Sequence, residues 1–229
     1  NFSQSELAAL DKFVSNGGGL LLAYDENAEE VYNGISNALQ IGITFPSENL
    51  IKNLQGERNV TITTFDHSHQ VFTNVTSFQV MYGQALNLSG NGKAIAWSGI
   101  TDTPANQPII ATDTHGNGKV LAIGDSNLWN NWDWDDDGSW DLYDEDNLQL
   151  AINIMKWLST PVQVTLTVSI SPASVVMDLG QSVTFTSAVS GGTPPYLYQW
   201  YLNGTLASNA TNWTFTPTCL LYTSDAADE

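Results

Sequence analysis

The sequence predicts an α/β layer fold over residues 1–158, followed by a smaller β-rich module over 164–218. Three observations carry this expectation. Stretches with helical apolar spacing alternate with short apolar runs of strand length up to Leu158. Glycine and asparagine turns separate those runs. Beyond Leu158 the pattern changes to strict alternation punctuated by Gly and Pro, the period of strands.

The elements follow in order. Ser3-x-x-Glu6 is a capping box that opens a helix, Leu7, Leu10, Phe13 and Val14 give its apolar stripe, and Asn16-Gly17 ends it. Gly18-Gly19 leads into Leu20–Ala23, an apolar run suited to a buried parallel strand. Ala28–Leu39 has a second helical pattern, and Ile41–Phe45 continues as an extended segment or strand. Val60–Phe65, Gln84–Leu88, Lys93–Trp97 and Pro108–Thr112 read as strands, with Trp97 a core candidate. Thr114-His115-Gly116-Asn117-Gly118 reads as a hairpin turn before the buried strand Val120–Ile123. Asn147–Leu158 is a helix whose expected inward face is Leu148, Ala151, Ile152, Met155 and Leu158, with Trp157 also assigned to the core.

Between that last strand and helix lies the densest charge of the chain. Residues 133–147 hold eight of its 24 acidic residues, where a loop leaves the carboxyl end of a strand and α/β sheets bind their ligands. Asp133-x-Asp135-x-Asp137-Gly138 places carboxylates at positions one, three and five with glycine at six. Ser139 follows at seven, where a backbone carbonyl serves, with Trp140 at eight, Asp141 at nine and Asp144 at twelve. The spacing resembles an EF-hand-type loop, with Asp in place of the bidentate Glu at twelve and no preceding helix. The expected cofactor is therefore Ca²⁺, held by Asp133, Asp135, Asp137, Ser139, Asp141 and Asp144. The competing assignment is a solvated acidic turn. Trp129, Trp132, Trp134 and Trp140 lie in or beside the segment, either as a carbohydrate-binding platform or, for at least two of them, as wedges that dock the loop.

Composition narrows the partners. A formal charge of −18, from 24 acids against six bases, disfavours nucleic acid and anionic membranes and favours cations. Only 13% of residues are charged, while Asn, Ser, Thr and Gly abound, a profile suited to secreted or cell-surface proteins. Seven Asn-x-Ser/Thr sequons begin at Asn1, Asn59, Asn74, Asn87, Asn203, Asn209 and Asn212, compatible with an extracellular location. No apolar run of about 18 residues predicts a membrane span, and no signal peptide is present. Residues 219–229, CLLYTSDAADE, resemble the in-frame translation of a sequencing adapter and are set aside as an artefactual tail; without them the chain has no cysteine, since Cys219 is the only one. The chain is expected to be a fragment of a longer protein.

The combination SELAALDKFVSNGGGLLLAYD, DHSHQVFTNVTSF, GNGKVLAIGDSN and DNLQLAINIMKWL resembles a class I glutamine amidotransferase-like domain. That resemblance implies a flavodoxin-like three-layer sandwich over residues 1–158, missing its first strand. It is also similar to the domain that follows the catalytic domain in site-1 protease and archaeal subtilisin-like proteins. The enzymatic residues do not carry over. Where the family's nucleophile elbow holds a cysteine flanked by glycines, this chain has Ala23-Tyr24-Asp25-Glu26, and no histidine follows Gly124-Asp125-Ser126 to serve as a late base. Ser126 is read as a capping or turn residue. His67 and His69 alternate beside Asp66 and could be zinc ligands, but two ligands without a third favour structural roles.

Residues 159–163 form a linker, and 164–218 resemble a partial immunoglobulin- or PKD-like sandwich. In it Gly180–Phe185 enters a strand, and Tyr198–Tyr201 forms another whose Trp200 fills the core; the module is expected to be truncated, with an open edge. The functional expectation is a non-catalytic, calcium-binding module of a secreted or cell-surface protein, acting in adhesion, assembly or ligand presentation. Its partners would be calcium, carbohydrate or other surface proteins. The alternative is the accessory C-terminal region of a secreted subtilisin-like serine protease with its catalytic domain upstream.

Overall fold

A computed structural model describes residues 2–25, 28–47, 50–130, 138, 140–162, 165–192 and 195–218. The chain divides into two compact units, Asn1–Val162 and Gln163–Glu229.

The first unit opens with α1 (Gln4–Ser15). Its capping box forms: Ser3 N–H donates to Glu6 Oε2 at 2.7 Å, and Glu6 N–H donates to Ser3 Oγ at 3.3 Å. Then come β1 (Gly19–Ala23), α2 (Glu29–Ala38), β2 (Ile43–Thr44), β3 (Asn59–Ile62), β4 (Thr64–Phe65), β5 (Phe78–Met81), β6 (Asn87–Leu88), β7 (Lys93–Trp97), β8 (Pro108–His115), β9 (Gly118–Ile123) and α3 (Asn147–Ser159). The main sheet runs β1-β9-β8-β7-β4. Among its described strands only β1 and β9 are parallel, in register from Gly19↔Lys119 to Ala23↔Ile123; the other neighbours are antiparallel. Two further antiparallel pairs, β2–β6 and β3–β5, stand apart from it.

The expected flavodoxin-like three-layer sandwich is therefore not the fold; the unit is a mixed-sheet domain rich in strands, with three helices among the described residues. The cause lies in the connections. Parallel neighbours need a crossover of a dozen or more residues, usually a helix. Here β8 turns directly into β9 at Gly116-Asn117, with His115 paired to Gly118, so the two strands are antiparallel. Gly116 is required there: its φ is +58°, and a Cβ would lie 2.6 Å from Ser15 O at the end of α1. The predicted strand Val60–Phe65 also breaks into β3 and β4, which pair in different sheets.

Strand β9 is buried on both faces. Leu121 and Ile123 join a core that contains Leu150, Ile154 and Leu158 of α3 and Val60, Ile62, Phe78 and Val80 of β3 and β5. Val120 and Ala122 face a second core with Val14 of α1, Ile35 of α2, Leu39, Ile43 and Phe45. Small strand pairs thus cover part of each face where a flavodoxin-like fold would use helices.

Helix α3 is rotated relative to the expected face. Asn147, Leu150, Asn153, Ile154 and Leu158 are buried, whereas Leu148, Ile152 and Met155 are 39%, 41% and 62% exposed. Two asparagines explain the shift, because each buried amide nitrogen donates to two backbone carbonyls. Asn153 Nδ2 donates to Val71 O at 3.0 Å and Thr73 O at 2.7 Å. Asn147 does the same at the start of the helix, as described below.

The second unit is all-β: β10 (Thr167–Ser171), β11 (Val183–Ser190), β12 (Trp200–Leu202), β13 (Thr205–Ser208) and β14 (Asn212–Phe215). A three-stranded sheet runs β10-β11-β14, and β12–β13 is a hairpin turning at Asn203-Gly204, with φ of +50° and +80°. Phe185, Trp200 and Trp213 meet with ring centroids 5.9–6.4 Å apart. The immunoglobulin- or PKD-like sandwich expected here does not close among the described residues. Every residue of β10 is exposed, and Leu166, Val168 and Ile170 remain about half exposed, without a second full sheet to cover them.

Candidate functional site: a buried acidic corner

The corner begins where β9 ends. Gly124 N–H donates to Ile109 O at 2.9 Å, and Gln84 N–H donates to Gly124 O at 2.6 Å. A Cβ at Gly124 would stand 1.8 Å from Gln84 O, so only glycine permits the approach. The next residue, Asp125, is thereby turned inward and is 2% exposed. Its Oδ2 accepts from Met81 N–H at 2.6 Å and its Oδ1 from Asn127 N–H at 2.7 Å. Burial pushes this carboxyl up to about 8, against the pull of the backbone N–H donors, and the negative charge of Asp141 pushes the same way. Desolvation outweighs the hydrogen bonds because the group is almost wholly out of water.

Asp141 and Asp144 are also buried, at the two ends of a 3-10 turn over Asp141–Tyr143. Asn147 holds that turn in place: its Nδ2 donates to Asp141 O at 2.7 Å and Leu128 O at 3.3 Å, and its Oδ1 accepts from Gln79 N–H at 2.9 Å. The neighbouring acids grip the segment before β5. Asp146 Oδ2 accepts from Thr76 N–H at 2.7 Å and Thr76 Oγ1 at 2.8 Å, which hold its carboxyl below the usual range. Ser77 Oγ donates to Glu145 Oε2 at 2.5 Å.

Of the six expected calcium ligands, Asp133, Asp135, Asp137 and Ser139 lie outside the described residues. Asp141 and Asp144 are brought into the same corner. Among the described residues, no three His, Cys, Asp or Glu side chains form a group that could hold a metal. Asp125 is the residue that sequence reasoning passed over, because Gly-Asp-Ser-Asn was read through Ser126. Ser126 opens the turn Asn127–Trp129 without a side-chain cap; Asp125 accepts the Asn127 N–H instead. The available signal was a carboxylate one residue past the glycine that ends a buried strand.

The tryptophans divide. Trp129 packs against the core, whereas Trp140 is 53% exposed and lies 6.0 Å from Tyr143, leaving an aromatic pair beside the carboxylates. Trp132 and Trp134 lie outside the described residues. Each histidine has a local structural task. His69 Nδ1 accepts from Val71 N–H at 3.3 Å, and its ring lies 5.3 Å from Trp157; burial lowers its pKa. His67 packs on Phe65, and His115 Nε2 lies 2.7 Å from Asp11 Oδ1, tying the β8–β9 hairpin to α1. At the end of β1, Tyr24 stacks on Phe45 at 5.6 Å and donates to Glu29 Oε2 at 3.4 Å, so this position serves packing.

Fold and corner together define a mixed-sheet domain with buried carboxylates beyond the end of strand β9. Solved structures share that fold at low identity. The mmIFT52 N-terminal domain superposes with a TM-score of 0.56 at 20% identity, covering 69% of this chain and 72% of that one. Cytoplasmic protein STM1381 from Salmonella typhimurium LT2 gives 0.52 at 13%, covering 70% of this chain and 63% of that one. A β-galactosidase from Bacillus circulans sp. alkalophilus aligns over 93% of this chain and 30% of its own, at a TM-score of 0.42 and 13% identity, too low to support an argument. No family model matches the chain, and no curated protein matches it. These likenesses show the fold alone. The first two overturn the expected kinship: neither points to an amidotransferase-like or subtilisin-associated domain, and neither speaks for calcium binding, secretion or a protease accessory role. Among the described residues, no helix is long and apolar enough to cross a membrane.

Proposed function

We propose that the chain is a non-catalytic module of a secreted or cell-surface protein, acting in adhesion, assembly or ligand presentation, with its acidic segment held by Ca²⁺. One observation carries this proposal: Asp141 and Asp144, at positions nine and twelve of the ligand spacing, are both buried on one turn, and the charge of Asp141 acts on the buried Asp125, in a chain of formal charge −18. Burying carboxylates together costs several kcal/mol per ion unless cations or protons offset the charge, and a divalent ion on the preceding Asp133, Asp135 and Asp137 would do so. The exposed Trp140–Tyr143 pair beside the segment suits a carbohydrate or protein ligand presented next to the ion.

The test is a calcium titration of the full chain followed by thermal unfolding, up to about 10⁻³ M because extracellular calcium modules bind in roughly the 10⁻⁴–10⁻³ M range. Wild type should gain stability, and Asp135→Ala Asp137→Ala and Asp141→Asn Asp144→Asn should lose most of that gain. Equal gains in all three proteins, or none in wild type, would remove calcium from the proposal.

A further inference from the structure

The second unit combines two properties that conflict in a water-soluble surface. Asp178 is the sole charged side chain of residues 163–218. Yet Val176 and Leu197 are almost fully exposed, and Tyr201, Leu202 and Leu206 are exposed as well. Surfaces ordinarily stay soluble through interspersed charge and small apolar patches, and this unit has little of the former. All three asparagines of residues 163–218 head an Asn-x-Thr sequon: Asn203-Gly204-Thr205, Asn209-Ala210-Thr211 and Asn212-Trp213-Thr214.

The structure separates the described sequons. Asn203 is exposed at the tip of the β12–β13 hairpin with φ +50°, and Asn209 is exposed in the connection between β13 and β14. Their Thr205 and Thr211 are exposed, and the second sequon is held through its backbone, with Trp200 Nε1 donating to Ala210 O at 2.8 Å and Ser187 Oγ donating to Thr211 O at 2.8 Å. The remaining sequons are less suited. Asn59 is partly buried in β3 opposite Met81. Asn87 and Asn212 lie in strands, paired with Thr44 and Thr186. Asn74 is exposed in a turn, but the hydroxyl of its Thr76 donates to Asp146.

We propose that Asn203 and Asn209 are N-glycan acceptors. This inference rests on the proposed export of the chain. In the transfer, the Asn side-chain nitrogen bonds to C1 of the first sugar of a lipid-pyrophosphate-linked oligosaccharide. The C1–O bond to phosphate breaks, the lipid pyrophosphate leaves, and the amide nitrogen gives up one proton. The glycan would hydrate a surface that carries almost no charge.

The full chain, placed behind a cleavable secretion signal in a glycosylating eukaryotic host, provides the test. Because the signal supplies export, a failure here concerns the acceptor sites and not the native location. Intact mass should show two glycans that peptide N-glycosidase removes, leaving aspartate at 203 and 209. Asn203→Gln, Asn209→Gln and Thr205→Val should each lose one glycan, while Thr205→Ser and Thr211→Ser, which preserve the sequon, should retain theirs. Secreted protein unmodified at both positions would overturn the proposal, as would occupancy at Asn59 equal to that at Asn203 and Asn209. A variant that is not secreted is read in the same way from the mass of its intracellular pool.

Discussion

Replacing Asn147 with alanine should loosen the acidic corner more than any single loss of charge within it. The side chain is fully buried and makes three hydrogen bonds, to Asp141 O, Leu128 O and Gln79 N–H. Each strands a buried partner when removed, at about 1–3 kcal/mol, and the 3.3 Å contact belongs at the low end. The bonds share one side chain and are not additive, so a total of about 3–5 kcal/mol is expected. For a unit of 162 residues, at about 2–4 °C per kcal/mol, the midpoint should fall by roughly 6–20 °C. All three described helices lie in that unit, so the helical circular dichroism signal of the full chain follows its unfolding specifically. Asn147→Asp is the discriminating companion. Ionised, it can still accept from Gln79 N–H but turns an acceptor toward two carbonyls, beside Asp141 and Asp144. At neutral pH it should be at least as damaging as alanine; in acid the protonated carboxyl can donate to Asp141 O and recover part of the loss. A fall of under about 2 °C for alanine, or no acid recovery for aspartate, would refute the account of Asn147 as the bracket of the corner.

Two other outcomes follow from the same geometry. Asp125 has a folded pKa of about 8 against an ordinary 3.8, so its contribution to stability is complete at acid pH and declines as pH rises through that window. Asp125→Asn should therefore show a flatter fall of midpoint between pH 5 and pH 8, in the range of pH over which the shift acts; parallel slopes for the two proteins would place the proton elsewhere. On α3, Leu150→Ala should cost about 2–5 kcal/mol by opening a cavity, whereas Leu148→Ala on the exposed side should cost less than about 1 kcal/mol. Equal denaturant midpoint shifts would return the buried face to the side that the apolar spacing alone suggests.

The chain's local signals were legible where one residue type has one physical use. Ser3 and Glu6 specified the start of α1, and Gly18-Gly19 before an apolar run located β1. The Gly116-Asn117 turn was legible too, and it already implied that β8 and β9 run antiparallel; the flavodoxin-like expectation gave that turn too little weight against a family resemblance. The face of α3 was not legible from apolar spacing, because Asn147 and Asn153 are buried for their backbone bonds while Leu148, Ile152 and Met155 remain exposed. Strand β5 was missed altogether, since Phe78–Met81 interrupts its apolar residues with a glutamine that faces Asn147 through its backbone. In the acidic corner, ligand spacing drew attention to residues 133–144, but the inward turn of Asp125 depends on how closely Gly124 meets Gln84, a tertiary contact that no local pattern encodes.

Strand β9 has hydrogen-bonded neighbours along both edges and a core against each face. Its amides can reach solvent only when β1 or β8 separates from it and a core opens as well. Deuterium should therefore enter β1 and β4, the outer strands of the sheet, through small local openings, and enter β9 only through cooperative unfolding of the whole unit. Asp125 lies two residues past the end of that strand, so the corner should draw its rigidity from the most persistent part of the domain and not from the turns that surround it.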